Sequence, residues 1–196
     1  MSYRFNNKGL ALSVVEGFTL IEMIVVIAIF GIVTTVVLAN LPTFRDRSSL
    51  DLVAQEVAIN IRGAQVAGAS GQIQSTTGQP TWRINFKKAN FGSPSTFWLY
   101  RDGIDKAEPE KTFTLSANFV LESMCLVVSG DACDLSPFDT LDIIFTRPNL
   151  EPKFVKDNTT PVLDAVSARI VVKALRSDET RRIEVYNNGQ ISVVKP

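Results

Sequence analysis

Near its N-terminus the chain carries a nearly unbroken run of apolar residues. Between residues 18 and 41 almost every side chain is apolar, and the stretch Met23–Val33 has no polar one. About 20 apolar residues in a helix cross a bilayer core, so this run predicts a membrane-spanning helix. Glu22 is the one carboxylate within it, and a bare carboxylate at mid-membrane costs on the order of 3 kcal/mol. We therefore expect Glu22 to have a function and a partner of opposite charge.

After the apolar run the pattern becomes amphipathic. Apolar residues recur at steps of three and four, which is the spacing of one helix face. They are Leu50, Val53, Val57, Ile61 and Ala64. Pro42 lies inside the expected helix and predicts a kink there, because proline removes one backbone hydrogen bond. Small residues between Gly63 and Ala69 would permit close approach of a sheet, and Gly71 is the expected end of the helix.

Beyond about residue 78 the pattern is typical of short β-strands. In Thr81–Phe86 the side chains of Trp82, Ile84 and Phe86 fall on one side. The other predicted strands are Thr96–Tyr100, Phe113–Leu115, Phe119–Leu121, Leu126–Val128, Leu141–Phe145, Ala168–Lys173, Ile183–Tyr186 and Ile191–Val194. The polar stretch Glu151–Thr160 predicts a loop, and Asn188-Gly189 predicts a tight hairpin between the last two strands. One long N-terminal helix before an antiparallel β domain is an α+β fold.

The apolar run has three interpretations. A cleaved secretory signal would suit the basic leader, Arg4 and Lys8. However, its apolar core should span only about 7–15 residues and be followed by a small-x-small cleavage site, which is missing. A plain membrane anchor would place Glu22 near one edge, where its carboxylate reaches the headgroups. The third interpretation explains the particular residues around Glu22.

Gly17-Phe18-Thr19-Leu20-Ile21-Glu22 resembles the processing site of type IV pilins and pseudopilins. The resemblance implies that a prepilin peptidase cuts between Gly17 and Phe18 on the cytoplasmic side and methylates the new Phe18 amine. It also implies that Glu22 pairs with the Phe18 amine of a neighbouring subunit as a filament grows. Two charges in a low-dielectric bundle are costly alone and tolerable together, so the pair can specify the stagger between subunits. Glu16 stands where the family usually has a basic residue.

The same resemblance implies an organisation for the whole chain. Residues 1–17 would be the leader, 18–41 the transmembrane and filament-core helix, 42–71 its amphipathic continuation, and 72–196 the soluble β domain. The strand pattern is similar to that of minor, H-type pseudopilins of type II secretion and related minor pilins. The expected partners are the prepilin peptidase, other pilin or pseudopilin subunits and an inner-membrane assembly platform. The basic leader predicts a cytoplasmic N-terminus and a C-terminal domain outside the cytoplasm.

Composition argues for a structural protein and against an enzyme. The chain has 20 basic and 20 acidic residues, so no global attraction to nucleic acid is expected. It contains no histidine, which removes the commonest general base and the commonest zinc ligand. Two cysteines are too few for a Cys₄ zinc site or an iron–sulfur cluster. We expect no cofactor and no bound metal.

Cys125 and Cys133 lie eight positions apart. Outside the cytoplasm such a pair predicts a disulfide closing a small loop, and two free thiols are the alternative. In either case the role is structural.

An acidic turn offers a candidate calcium site. Asp102, Asp105 and Glu108 carry the carboxylate oxygens that Ca²⁺ prefers, but the spacing is not that of an EF-hand loop and Lys106 lies among them. A solvated turn is the favoured interpretation.

Arg181 and Arg182 are the candidate DNA contacts of an alternative function, a minor pilin-like module that recognises DNA or a secreted substrate. Together with Arg176 they form a basic cluster near the C-terminal hairpin, as phosphate contacts would require. Asp178, Glu179 and Glu184 interleave with these arginines and largely neutralise them. A salt-bridged hairpin is therefore the favoured interpretation, and nucleic acid is not expected as a partner.

Overall fold

The computed structural model describes residues 17–70, 81–88, 95–101, 109–130, 132–133, 138–146, 150–157 and 160–195. One helix, α1, spans Leu20–Ser70 and is followed by ten strands. The strands are β1 (Thr81–Lys87), β2 (Thr96–Arg101), β3 (Lys111–Thr114), β4 (Phe119–Val127), β5 (Thr140–Thr146), β6 (Pro152–Lys156), β7 (Thr160–Val162), β8 (Ser167–Ala174), β9 (Thr180–Tyr186) and β10 (Ile191–Val194).

The chain divides into two compact units, Met1–Pro42 and Thr43–Pro196. In the first unit, α1 is exposed on every side, as Ile27 at 65% and Phe30 at 70% exposure illustrate. Its hydrophobicity and length are sufficient to cross a membrane, and no part of its most apolar window is buried. The helix continues through Pro42 rather than ending there.

In the second unit, one face of α1 joins the core. Leu50, Val57, Ile61 and Ala64 are fully buried, which confirms most of the predicted stripe. Ala54 is the fifth fully buried position, whereas Val53 is only partly buried against the core. The predicted close approach occurs at Gly68, where an added Cβ would lie 2.9 Å from Phe145 Cβ.

The strands form two antiparallel sheets. The six-stranded sheet has the order β3-β2-β1-β5-β6-β7, and the four-stranded sheet has the order β10-β9-β8-β4. Side chains of both sheets pack in the same hydrophobic cluster as the buried face of α1. They include Ile84 and Phe86 of β1, Ile170 of β8 and Ile183 of β9. The α+β fold class is therefore the one that the sequence predicts.

The last two strands form the predicted hairpin. The Gly189 N–H donates to the Tyr186 carbonyl and the Tyr186 N–H donates to the Gln190 carbonyl, both at 2.9 Å. Gly189 has a φ of 85°, whereas Asn188 is not among the positive-φ residues. This is a type I turn followed by a left-handed glycine, which gives a three-residue loop.

Two strand predictions are wrong. The predicted loop Glu151–Thr160 contains strand β6 and the start of β7, and Phe154 of β6 is 3% exposed. Phe119–Leu121 and Leu126–Val128 are not two strands but parts of β4, whose register shifts between Leu121 and Ser123. That irregularity lets one strand continue through the polar pair Glu122-Ser123. The predicted helix end at Gly71 lies outside the described residues.

Candidate functional site

Thr19 caps the N-terminus of α1. Its carbonyl accepts the Met23 N–H at 3.2 Å, and its hydroxyl oxygen accepts the Glu22 N–H at 3.3 Å. These are the two bonds of a helix N-cap residue, so Thr19 satisfies backbone donors that would otherwise lack partners. Gly17 and Phe18 precede the cap, and the Phe18 side chain is 76% exposed. The predicted cleavage bond therefore lies outside the helix, between two exposed residues.

Glu22 is the third residue of α1 and lies in the first turn of the helix. Within the described part of the chain its carboxylate has no hydrogen bond and no ion pair. Apolar side chains surround it along the helix, including Ile21 at 65% and Val26 at 54% exposure. A carboxylate near a helix N-terminus is stabilised by the helix dipole by roughly 0.3–1 kcal/mol, which offsets only part of its cost in lipid.

The sequence analysis missed the cap, although the signal was present. Thr19-x-x-Glu22 before an apolar run is a capping-box pattern, in which Thr caps the helix and Glu occupies its third position. In this structure the threonine half of the box is formed. Glu22 takes part in this cap through its backbone N–H, and the role of its carboxylate between subunits stays a prediction.

One polar side chain of the apolar segment finds its hydrogen-bond partner within its own helix. The Thr35 hydroxyl donates to the Gly31 carbonyl four residues earlier at 2.8 Å. A threonine can enter a lipid-facing helix in this way without leaving its hydroxyl unpaired. Glu22 thus differs from Thr35, because Glu22 carries a charge that its own helix does not neutralise.

Cys125 and Cys133 are joined by a disulfide bond, with their Cα atoms 5.6 Å apart. Cys125 lies on β4 opposite Arg169 of β8 and is 7% exposed. The bond ties the segment that follows β4 back onto this strand. Closing a short loop stabilises a domain by about 2–3 kcal/mol.

Arg181, a candidate DNA contact, faces the helix. It is 5% exposed, it pairs with Asp51, and its Nη1 atom lies 3.7 Å from Glu179 Oε2. Glu179 in turn binds Arg47 Nε at 2.5 Å. These four alternating charges connect α1 to the start of β9. A phosphate could reach Arg181 only by displacing its carboxylate partners.

Arg182, the other candidate DNA contact, lies on the opposite face of β9. Its Nε atom is 2.9 Å from Glu184 Oε1, and Arg169 Nε donates to the same oxygen at 2.7 Å. The Tyr186 hydroxyl donates to Glu184 Oε2 at 2.5 Å. This hydrogen bond, followed by burial, raises the pKa of Tyr186 above its ordinary value of 10.0. Both arginines are thus engaged with carboxylates, and no observation favours DNA contact.

Several predicted features lie outside the described residues. They are the leader with Arg4, Lys8 and Glu16, and the candidate calcium ligands Asp102, Asp105 and Glu108. Within the described ranges, no three His, Cys, Asp or Glu side chains are grouped as metal ligands would be.

Comparison with known proteins matches the segment that contains this site. Residues 13–38 match the family model described as the prokaryotic N-terminal methylation motif. No curated protein and no solved structure matches the chain. The matched segment covers the predicted cleavage bond, the Thr19 cap and the first part of the exposed apolar helix. The motif, followed by one long helix and an antiparallel β domain, supports the resemblance to type IV pilins and pseudopilins.

Proposed function

We propose that the chain is a structural subunit, a minor pilin or pseudopilin, of a type IV pilus or a type II secretion pseudopilus. The observation that carries the proposal is the coincidence of the methylation motif at residues 13–38 with an apolar helix that is exposed within the described part of its unit. A soluble domain would bury such a surface, whereas a membrane or a bundle of like helices covers it. The role is structural, and the chain is a substrate of an enzyme rather than an enzyme.

Maturation would begin with hydrolysis of the Gly17–Phe18 peptide bond by a prepilin peptidase. Cleavage releases the leader and leaves a positively charged amine on Phe18, which is then methylated. The Gly17–Phe18 bond precedes the Thr19 cap, so hydrolysis of this peptide bond leaves the hydrogen bonds at the start of α1 in place. The proposed mature chain therefore starts with a charged amine, an N-cap and Glu22, within five residues.

Glu22 would supply the assembly contact. Before assembly its carboxylate lies near one end of the apolar segment, where the dipole of the helix offsets part of its cost. When a neighbouring subunit brings its Phe18 amine, the two charges neutralise each other in a water-poor environment. A subunit in the wrong register leaves both charges unpaired. The pair thus favours one stagger between neighbouring helices.

The membrane topology follows from the charges and the cysteines. Basic residues in the leader favour a cytoplasmic N-terminus, and the chain after Leu41 would then lie outside the cytoplasm. A disulfide between Cys125 and Cys133 is expected in that oxidising location. The proposed partners are the prepilin peptidase, other pilin or pseudopilin subunits and the inner-membrane assembly platform.

The test replaces Glu22 in cells that assemble the filament. Glu22→Ala should be inserted and cleaved normally but lost from filaments, because the neighbour's amine would then be buried unpaired. Glu22→Gln should be lost as well, although glutamine retains the capping-box pattern. Glu56→Ala is the matched control, since Glu56 is an exposed acid on the second half of the same helix. Immunoblots of sheared filaments measure incorporation, and immunoblots of membranes measure insertion and cleavage.

Two outcomes would contradict this mechanism. Normal incorporation of Glu22→Ala would show that no charge pair is needed. Incorporation of Glu22→Gln together with loss of Glu22→Ala would assign Glu22 to helix capping rather than to pairing.

A further inference from the structure

Three of the four sheet edges in the described part of the chain have features that discourage a further strand. Edge strand β7 has three residues and contains Pro161. Edge strand β3 has four residues and begins with Lys111. Edge strand β4 is irregular at Leu121, whose N–H donates to the Ser95 hydroxyl oxygen at 2.8 Å. Proline, lysine and irregular pairing are the usual means by which proteins protect sheet edges.

Edge strand β10 has none of these features. Its four residues include no charge, no proline and no bulge, and it pairs only with β9 in the sheet. The Tyr186–Gln190 hydrogen bond fixes which residues of β10 face β9. Because hydrogen-bonded and non-hydrogen-bonded pairs alternate, Ile191 and Val193 point their N–H and C=O groups away from β9. Among the described residues, no other strand takes these groups.

A groove runs between this edge and the flank of α1. Its volume is about 180 Å³, and it is lined by Gln55, Ala58, Ile59, Arg62, Ile191 and Val193. Ile59 is 68% exposed and Val193 is 38% exposed, so both walls present apolar side chains to solvent. A strand added to β10 would cover these side chains with its own inward-facing residues. The backbone edge and the groove therefore form one continuous surface, which we call the β10 groove.

The charges around the β10 groove are positive. Arg62 lies in the groove, is exposed, and has no ion-pair partner within the described part of the chain. Lys195 directly follows the edge strand and is also exposed. The lining residues include no acid. A second copy of β10 would bring its own Lys195 toward this groove, whereas an acidic segment would complement it.

We propose that the β10 groove binds an extended acidic segment of another protein as a fifth strand of the four-stranded sheet. The segment presents apolar side chains at alternate positions to Ile59 and Val193 and a carboxylate to Arg62. Main-chain hydrogen bonds to Ile191 and Val193 supply affinity, and the side chains supply selectivity. This surface belongs to the second unit, and the proposal does not rest on filament assembly through Glu22.

The test uses the full-length protein in a non-ionic detergent and two labelled probe peptides. The acidic probe is Thr-Val-Thr-Val-Thr-Glu-Thr, blocked at both ends, and the basic probe carries Lys in place of Glu. Fluorescence anisotropy should show the acidic probe binding about tenfold more tightly at low salt. Arg62→Glu should invert this preference while leaving the fold intact, because Arg62 is exposed and has no ion-pair partner among the described residues.

A second variant tests the backbone edge. Val193→Pro removes an N–H that points to the open edge and leaves the hydrogen bonds to β9 in place, so both probes should bind about tenfold more weakly. Thr112→Pro on edge strand β3 is the matched control and should leave binding unchanged.

Three results would overturn the proposal. They are absence of binding by either probe, an unchanged probe preference in Arg62→Glu, and dimers of the unmodified protein that Val193→Pro dissociates. The last result would assign the edge to a second copy of the chain. Loss of processing or of filament incorporation would leave all three readouts unaffected, so this test and the test of Glu22 can fail separately.

Discussion

The two halves of α1 differ in what covers their apolar side chains. In the first half the isoleucines, such as Ile27 at 65% exposure, are exposed in the described part of the chain. In the second half Ile61 is fully buried against the sheets. The same residue type thus serves two purposes on one helix. The second half stabilises its own domain, whereas the first half presents an exposed apolar surface, which we propose is covered by lipid or by other helices.

The largest expected difference between the halves is in folding stability. Ile61→Ala should lower the free energy of unfolding of the second unit by about 2–5 kcal/mol, because it leaves a cavity in the core. Ile27→Ala makes the same chemical change in the exposed half and should change that stability by less than about 0.5 kcal/mol. Urea unfolding of the full chain in detergent, followed by tryptophan fluorescence, measures both. Equal effects of the two variants would contradict the division between the halves.

Alanine substitutions of glycines in the two halves of α1 should have smaller effects on folding stability. Gly68→Ala should destabilise the second unit by about 1–3 kcal/mol, because the new Cβ would overlap Phe145 at 2.9 Å. Gly31 in the first half and Gly63 in the second have no atom within 4 Å of an added Cβ. Gly63→Ala should therefore stabilise the helix by about 0.5–1 kcal/mol, and Gly31→Ala should leave the unfolding of the second unit unchanged. The same urea titrations distinguish these signs, and stabilisation by Gly68→Ala would contradict the close helix–sheet contact.

The smallest expected effect is a pH dependence confined to the second unit. The pKa of Tyr186 is raised, chiefly by its hydrogen bond to Glu184, so the fold favours the neutral phenol. This contribution is present below the ordinary value of 10.0 and is lost as pH rises through the raised pKa. The contribution of Lys173 to stability changes with pH in the same direction, because its hydrogen bond to Asp178 raises its pKa above 10.5.

Tyr186→Phe should therefore reduce, but not remove, the loss of stability at alkaline pH. Tyr100→Phe is the control, because its ring still packs under Arg83. Urea midpoints measured on both sides of pH 10.0 test the difference. An alkaline loss of the same size in Tyr186→Phe and the unmodified protein would rule out the phenol as its source.

The sequence predicted best where residue spacing alone determines the structure. The stripe from Leu50 to Ala64 and the alternation in β1 both depend on the repeat of helix or strand, and both are confirmed. Strand β6 was missed because its buried residue Phe154 lies among charged and proline neighbours that are typical of a loop. Phe154 pairs with Ile143 of the preceding strand β5 and packs in the core cluster, and neither contact is visible in the residues around Phe154.

The candidate site was predictable in type but not in its contacts. The motif around Glu22 was visible in the sequence, and its match at residues 13–38 supports the family resemblance. Local charge balance predicted that Glu179 and Glu184 neutralise the arginines, and both form ion pairs with them. Asp51, the further partner of Arg181, was not predictable, because it lies 130 positions away in the chain. Its contact depends on how α1 packs on β9, which spacing alone does not determine.

In the proposed function the chain is processed at Gly17–Phe18, so that a charged amine and Glu22 are available for assembly. Mass spectrometry of the N-terminus of the protein isolated from cells with an active prepilin peptidase tests this processing most directly. We expect a mature chain that begins with N-methylated Phe18. An intact leader beginning with Met1 in the membrane fraction of those cells would contradict it.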